Sequence, residues 1–309
     1  MQCTSPINLW DTLGKKLIKY PNVPQFVPCG KCMNCRISRT REWSMRLQHE
    51  LSTTPNFKAV FLTLTYDDDH LPSYGSLVKA DLQKFFKRLR KNLASSRYGE
   101  EASKPPNGGA LGKLKYYACG EYGSQTFRPH YHAIIFGLGL DPLSKQIITD
   151  SWSLCDWTFE RIQASFGTVT PDSCSYVTKY IQKKLSGDLA DIEYENRQAP
   201  FQVASNGLGR TFVDLHRNDL VKRLSVRYNG QDVGLPRYYR KLLGIEADTI
   251  ADLAIKTARI STNKLLCKIY GKKYLYKVDT SEVKFWLDSN NNLRNKTQIA
   301  RSNLYKDKI

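Results

Sequence analysis

The stretch Phe127-Arg128-Pro129-His130-Tyr131-His132-Ala133-Ile134-Ile135-Phe136 sets two histidines two residues apart in a run of strand-forming residues. Side chains alternate across a strand, so His130 and His132 leave on one face while Tyr131, Ala133 and Ile135 pack on the other. Neutral imidazole is the commonest side-chain ligand for a divalent metal. Two converging imidazoles and one oxygen donor would hold a cation with positions left open for substrate and water. Glu121, in Cys119-Gly120-Glu121-Tyr122-Gly123, is the nearest oxygen donor. It follows a strand-like run from Lys113 to Ala118, and the Gly123 to Pro129 connection can fold it back as an antiparallel neighbour.

A His-x-His pair in a strand is by itself more often incidental than metal-binding. A second segment changes its meaning. Downstream, Tyr176-Val177-Thr178-Lys179-Tyr180-Ile181-Gln182-Lys183-Lys184 places Tyr176, Tyr180 and Lys183 or Lys184 at helical spacing. On a helix they share a face, with the two tyrosines about 6 Å apart along the axis. A tyrosine pair at that spacing is, alone, more often a core stripe. Beside a metal it has chemistry to do: phenol oxygen attacks phosphorus to form a phosphotyrosine, and the cation stabilises the charge that develops. A lysine holds the phosphate or lowers the phenol pKa from its ordinary value of about 10.

His130-Tyr131-His132 followed by Tyr176-x-x-x-Tyr180-x-x-Lys183 resembles the His-hydrophobe-His endonucleases that initiate rolling-circle replication. It is most similar to the replication initiators of microviruses, in particular the gokushovirus-like single-stranded DNA phages. Phe61-Leu62-Thr63-Leu64-Thr65-Tyr66 resembles that family's first motif, and Pro28-Cys29-Gly30-Lys31-Cys32-Met33-Asn34-Cys35-Arg36 its N-terminal segment. The match covers roughly residues 26 to 185, with a weaker echo at Leu235-Pro236-Arg237-Tyr238-Tyr239-Arg240. Tyr131 stands where an aliphatic residue is common. The resemblance implies Mg2+ or Mn2+ on His130 and His132, to which Glu121 is added as third ligand by its position alone, with Tyr180 or Tyr176 as nucleophile and Lys183 or Lys184 neutralising charge. It implies a site-specific nick at a single-stranded or nicked circular DNA origin, a 5′-phosphotyrosine and later strand transfer, with a host helicase and DNA polymerase as partners.

Charge agrees with a nucleic-acid partner. The chain has 47 basic against 29 acidic residues, a formal net charge of +18, which an acidic polymer neutralises. No stretch approaches the length of a membrane span and the N-terminus lacks a signal-type apolar core, so a host cytoplasm is expected. Cys29, Cys32 and Cys35 form Cys-x-x-Cys-x-x-Cys, with Cys3 as candidate fourth ligand to a structural Zn2+. Cys119, Cys155, Cys174 and Cys267 read as small buried hydrophobes. No Gly-x-x-x-x-Gly-Lys-Ser/Thr occurs, so strand separation falls to a partner.

Along the chain, Arg36 to Leu51 fits a helix whose arginines, Arg36, Arg39, Arg41 and Arg46, are candidate phosphate clamps. Lys58 to Tyr66 reads as a strand buried on both sides, with Thr63 and Thr65 sharing a face, before the turn Asp67-Asp68-Asp69-His70. His70 is a candidate DNA contact. Lys79 to Leu93 has Leu82, Phe85, Phe86 and Leu89 at 3-4 spacing and a basic outer face. A Gly/Pro-rich loop spans 95 to 112, Ile147 to Cys155 reads as a helix, Trp157 to Val169 is mixed, and Phe201 to Arg210 reads as a loop. These elements predict an α+β fold, a four- or five-stranded antiparallel sheet flanked by helices. The expected domains are an N-terminal cysteine-containing segment with its basic helix (1–57), an endonuclease core (58–187) and a basic accessory region (188–309) contacting DNA. The competing readings are a relaxase or transposase of the same chemistry and a non-catalytic zinc-containing DNA-binding protein. A phosphohydrolase using His-x-His-x-His is disfavoured by Ile134 at the third position. Oligomeric state is not encoded in these features.

Overall fold

The structure, a computed structural model, describes residues 3, 7–8, 26–95, 114–183 and 192–245, with backbone alone for residues 8, 26–27 and 180–183. The loop expected from 96 to 112, Lys184, Cys267 and the basic stretch beyond Ile245 lie outside the described residues. The chain divides into two compact units, 1–215 and 216–309.

The first unit begins with a two-residue pair, β1 (Ile7–Asn8) against β2 (Phe26–Val27), followed by the helix α1 (Met33–Thr53). Strand β3 (Ala59–Leu64) then alternates, burying Val60, Leu62 and Leu64 and leaving Ala59, Phe61 and Thr63 half-buried. The second face is less deeply buried, although Ala59 and Phe61 pack on the core cluster there, and the strand stops at Leu64, so Thr65 lies beyond it. Helix α2 (Lys79–Leu93) buries Leu82, Phe85, Phe86 and Leu89, as the 3-4 spacing predicts, with Asp81 in its first turn and Arg90 and Lys91 in its last to match the helix dipole. Strands β4 (Lys115–Tyr122) and β5 (Pro129–Phe136) form a hairpin.

Helix α3 (Pro142–Ser151) starts five residues before the predicted Ile147 because Asp141 caps it, accepting from the Ser144 N–H, and Pro142 occupies its first turn. The mixed region resolves into α4 (Phe159–Ser165) and β6 (Phe166–Thr168), and α5 (Pro171–Lys183) carries the tyrosines. Phe201–Ala204 is a strand, β7, not part of a loop: its backbone pairs with β4, a partner no local pattern reveals. Helix α6 (Arg210–Leu215) closes the unit.

The five strands form one antiparallel sheet in the order β6-β3-β5-β4-β7, with the histidine strand β5 at its centre. One face, carrying Val60, Leu62, Leu64, Tyr131, Ala133 and Ile135, packs on α2, α3 and Trp152 as the main core. Burying the Tyr131 phenol there leaves nothing unpaired: it accepts from the Val78 N–H at 2.7 Å and meets the Tyr66 hydroxyl at 2.8 Å. The opposite face, with Tyr117, Cys119, Ile134 and Phe136, packs on Leu47 of α1 and on Cys174 and Val177 of α5. Cys119, Cys155 and Cys174 are buried as small apolar groups.

In the second unit α7 (Arg217–Arg223) precedes a hairpin, β8 (Ser225–Tyr228) and β9 (Gln231–Gly234), and α8 (Arg237–Leu243) follows. Asn229 and Gly230 take left-handed φ of 48° and 76°, the tight turn that Asn-Gly favours.

Candidate active site

Register decides which side chains meet. His132 of β5 lies opposite Thr63 of β3 on one side and Cys119 of β4 on the other, and Glu121 lies opposite His130. All of these project to the face covered by α5. Glu121 reaches diagonally, so that its Oε1 lies 2.8 Å from His132 Nε2. Thr63 Oγ1 lies 3.1 Å from His132 Nδ1. The imidazole is thus held at both nitrogens, with 8% of its side chain and 13% of that of Glu121 exposed. Its plane lies at 22° to the Phe61 ring, centroids 5.8 Å apart.

His130 is placed differently. Its Nδ1 donates to the carbonyl of Pro129 at 3.0 Å, which fixes the tautomer and leaves the Nε2 lone pair unprotonated. Burial, reinforced by the neighbouring His132, pushes its pKa below the usual imidazole value. Gly123 faces that nitrogen: a Cβ at residue 123 would sit 3.1 Å from His130 Nε2. Glycine at 123 therefore leaves no side chain of its own against that nitrogen. The ligand atoms of Glu121, His130 and His132 do not fall within a common 4.8 Å shell; among the described residues only a cysteine cluster does. Glu121 and His132 are already paired, while His130 is held on the Pro129 carbonyl. The donor set, two imidazoles and a carboxylate on adjacent strands, suits a divalent ion that keeps open positions.

Above this face lies α5. Thr170 and Ser173 begin it by exchanging side-chain and backbone hydrogen bonds, the Ser173 N–H donating to Thr170 Oγ1 at 3.2 Å. Cys174, Val177 and Thr178 are its buried stripe, which sets Tyr176 at the edge of the contact. The Tyr176 ring stands edge-on to His132, centroids 5.5 Å apart at 80°, and edge-on to Phe61 at 6.1 Å. Tyr180 and Lys183 follow on the same helix, their side chains outside the described residues.

Other candidates make contacts within the protein, although His70 stays exposed. Arg46 lies over the Trp43 ring at 4.1 Å and donates to the Leu208 carbonyl, contacts within the fold. Thr65 meets Cys155 and not the site. His70 is paired with Asp67 at 2.7 Å. The sequence reading missed Thr63 as the partner of His132 and Gly123 as the space beside His130, because both follow from strand register. At the other end of α1, the sulfur atoms of Cys3, Cys29, Cys32 and Cys35 all lie within 4.8 Å of one another, a cluster that could hold a zinc ion.

Comparison with known proteins gives a family. A family of replication-associated proteins, described as the ORF2 and gene-2-protein type, matches residues 59–185. The chain is 35% identical over 225 residues to the "Replication-associated protein VP4" of Bdellovibrio phage phiMH2K, covering 69% of this chain and 66% of that protein. It is 36% identical over 224 residues to the "Replication-associated protein ORF2" of Spiroplasma virus 4, covering 69% and 64%. It is 30% identical over 241 residues to the "Replication-associated protein ORF4" of Chlamydia phage 1, covering 72% and 56%. The chain thus spans less than two thirds of the length of these relatives. No solved structure matches it. Among the described residues no helix is long and apolar enough to cross a membrane.

Proposed function

The chain belongs to the replication-associated protein family of microvirus-type phages, and from that premise we propose that it initiates rolling-circle replication by nicking origin DNA and rejoining the product. His130, His132 and Glu121 would hold a divalent ion, Mg2+ or Mn2+, which would supply charge neutralisation at the scissile phosphate. Tyr176 or Tyr180 supplies the attacking oxygen. The new phenol-oxygen to phosphorus bond forms as the bond to the 3′ oxygen breaks; the phenol proton is lost and the departing oxygen gains one. The products are a free 3′-OH, which primes synthesis, and a 5′-phosphotyrosine. The reverse attack, by a 3′-OH on the phosphotyrosine, reseals a circle without a nucleotide cofactor, in keeping with a sequence that has no phosphate-binding loop. Lys183 neutralises charge in both steps, and Thr63 holds His132 in its ligating orientation. The substrate is single-stranded or nicked circular DNA carrying an origin, attracted by the net charge of +18. A host helicase and DNA polymerase would act on the strand it opens.

The observation that carries this reading is the Tyr176 ring set edge-on to His132, an imidazole held by both Glu121 and Thr63. A zinc-containing protein that only binds DNA has no use for that assembly. The test mixes the protein with circular single-stranded origin DNA and Mn2+ and looks for a protein-DNA adduct that survives denaturation. Wild type forms it, and Tyr176→Phe and Tyr180→Phe each lose one of the two strand-transfer steps. An adduct that persists in the double variant overturns the assignment of nucleophile.

A further inference from the structure

The four cysteines stand apart from the catalytic face, yet they terminate the helix that packs along the tyrosine helix. Cys3 Sγ and Cys32 Sγ are 3.7 Å apart. A zinc ion with sulfur ligands at about 2.3 Å has tetrahedral sulfur-sulfur edges of about 3.8 Å. The loop is shaped to present the thiols. The Cys29 N–H points at Cys3 Sγ and the Cys32 N–H at Cys29 Sγ, both at 3.3 Å, and Gly30 turns the chain with φ of 74°. Pairing of β1 with β2, Ile7 against Val27, is what brings Cys3 beside Cys29.

Cys32 is the N-cap of α1 and Cys35 lies in its first turn, yet that N-terminus has no side-chain cap hydrogen bond and no acidic residue in its first turn. Zn2+ with four thiolates carries a formal charge of −2 at that point, where the helix dipole favours an anion. Further along, α1 grips α5 through small hydroxyl residues. Thr40 Oγ1 donates to the Thr178 carbonyl at 3.2 Å, and the Ser44 and Ser175 hydroxyls are 3.1 Å apart. Ser175 and Thr178 flank Tyr176 and Val177.

We infer that Cys3, Cys29, Cys32 and Cys35 bind one zinc ion, and that this clasp is a positioning element: it fixes α1, and through it the placement of Tyr176 and Tyr180 over the histidine strand. The second half of this inference rests on the reading of those tyrosines as nucleophiles. The ion touches no substrate. Its effect passes through the hydroxyl contacts between α1 and α5, which tolerate little sliding.

The experiment uses the full chain. Elemental analysis of the wild type gives one zinc per chain; Cys32→Ser and Cys29→Ser give none, and Cys267→Ser keeps the ion. Cobalt exchanged into the wild type gives the visible bands of a tetrahedral tetrathiolate. Amide hydrogen exchange then compares zinc-loaded protein with protein stripped by a mercurial reagent and with the stripped sample reloaded. Exchange in α1 and α5 speeds up on stripping and recovers on reloading, while β5 is unchanged. Single-turnover adduct formation at saturating Mn2+ slows by about a hundredfold, the scale of a 1 Å misplacement, with DNA affinity retained. Wild type without zinc overturns the site. Zinc loss that leaves α5 exchange and adduct rate unchanged overturns the positioning role. An adduct missing from loaded and stripped protein alike overturns the nickase reading, while metal content and exchange still decide the clasp.

Discussion

Thr63→Val removes one hydroxyl and little else. Valine keeps the β-branched shape and suits a strand at least as well as threonine, so the half-buried packing of β3 survives. What disappears is the 3.1 Å contact between Thr63 Oγ1 and His132 Nδ1. With Glu121 at the other nitrogen, that contact fixes which way the imidazole faces. Losing an outer partner of a metal-ligating histidine costs about 10–100-fold in metal affinity or activity, roughly 1.4–2.7 kcal/mol at 1.36 kcal/mol per factor of ten. The global stability change is smaller, about 1 kcal/mol for a hydrogen bond between neutral groups. The two quantities separate in two measurements: the Mn2+ concentration at half-maximal adduct formation in single turnover, and the urea midpoint. The metal midpoint rises by one to two decades while the urea midpoint moves little. Thr65→Val is the control, since its hydroxyl meets Cys155, and its metal midpoint stays at the wild-type value. A Thr63→Val protein with an unchanged metal midpoint refutes the view that His132 is a ligand oriented by Thr63.

Three more perturbations follow from the same coordinates. Gly123→Ala puts a Cβ 3.1 Å from His130 Nε2; the metal midpoint for adduct formation rises about tenfold while the urea midpoint holds, and an unchanged metal midpoint removes His130 from the ligand set. Glu50 is 4% exposed, with Oε1 2.7 Å from Lys115 Nζ and Oε2 accepting from the Gly209 N–H at 2.8 Å; Glu50→Ala strands both partners and lowers unfolding stability by about 3–5 kcal/mol, and Lys115→Met in that background recovers part of the loss in a urea titration. Asp141 accepts from the Ser144 N–H and hydroxyl and pairs with Lys58 at 3.2 Å; burial raises its pKa, but these partners outweigh it and hold the carboxyl below 3.8. A depressed folded pKa stabilises above the unfolded value and is lost as pH falls through the folded one. Asp141→Ala therefore costs about 1 kcal/mol at neutral pH, and urea titrations of the two proteins converge as pH drops below the ordinary carboxylate range.

Periodicity made the elements that bury an apolar stripe legible. Helix α2 has the bounds its 3-4 pattern predicts, and the alternation around His130 and His132 puts both on one face of β5. Signals that depend on a distant partner were not legible. Phe201–Ala204 is too short to read as a strand until β4 supplies its hydrogen bonds. Thr63 looked equivalent to Thr65 until the end of β3 at Leu64 turned one toward His132 and the other toward Cys155. The contacts of Glu50 with Lys115 and Gly209, and of Arg46 with Leu208, have no local signal, because nothing in the sequence of α1 says that those residues lie against it. The Asn229-Gly230 hairpin was readable from its dipeptide and was overlooked.

The division of labour between the two sheet faces explains why so little of the site could be read locally. The face toward α2 is filled by apolar and aromatic side chains and carries the main core. The face toward α1 and α5 has a smaller apolar cluster, which leaves its β3-β5-β4 end for Thr63, His132, Glu121 and His130. The proposed ligands thus sit on the most constrained part of the molecule, the central strands, where register fixes their spacing. The proposed nucleophiles sit on a helix whose buried stripe includes Cys174, Val177 and Thr178, and whose contacts to α1 add a hydroxyl-hydroxyl and a hydroxyl-carbonyl bond to the apolar cluster around Leu47. Such an interface adds directional bonds to its apolar packing. On the proposed mechanism two tyrosines about 6 Å apart on one helix would both have to reach one phosphate, and the directional bonds to α1 would hold that helix in place over the sheet. The sheet would then set where the phosphate is held, and the seating of α5 would set which phenol reaches it.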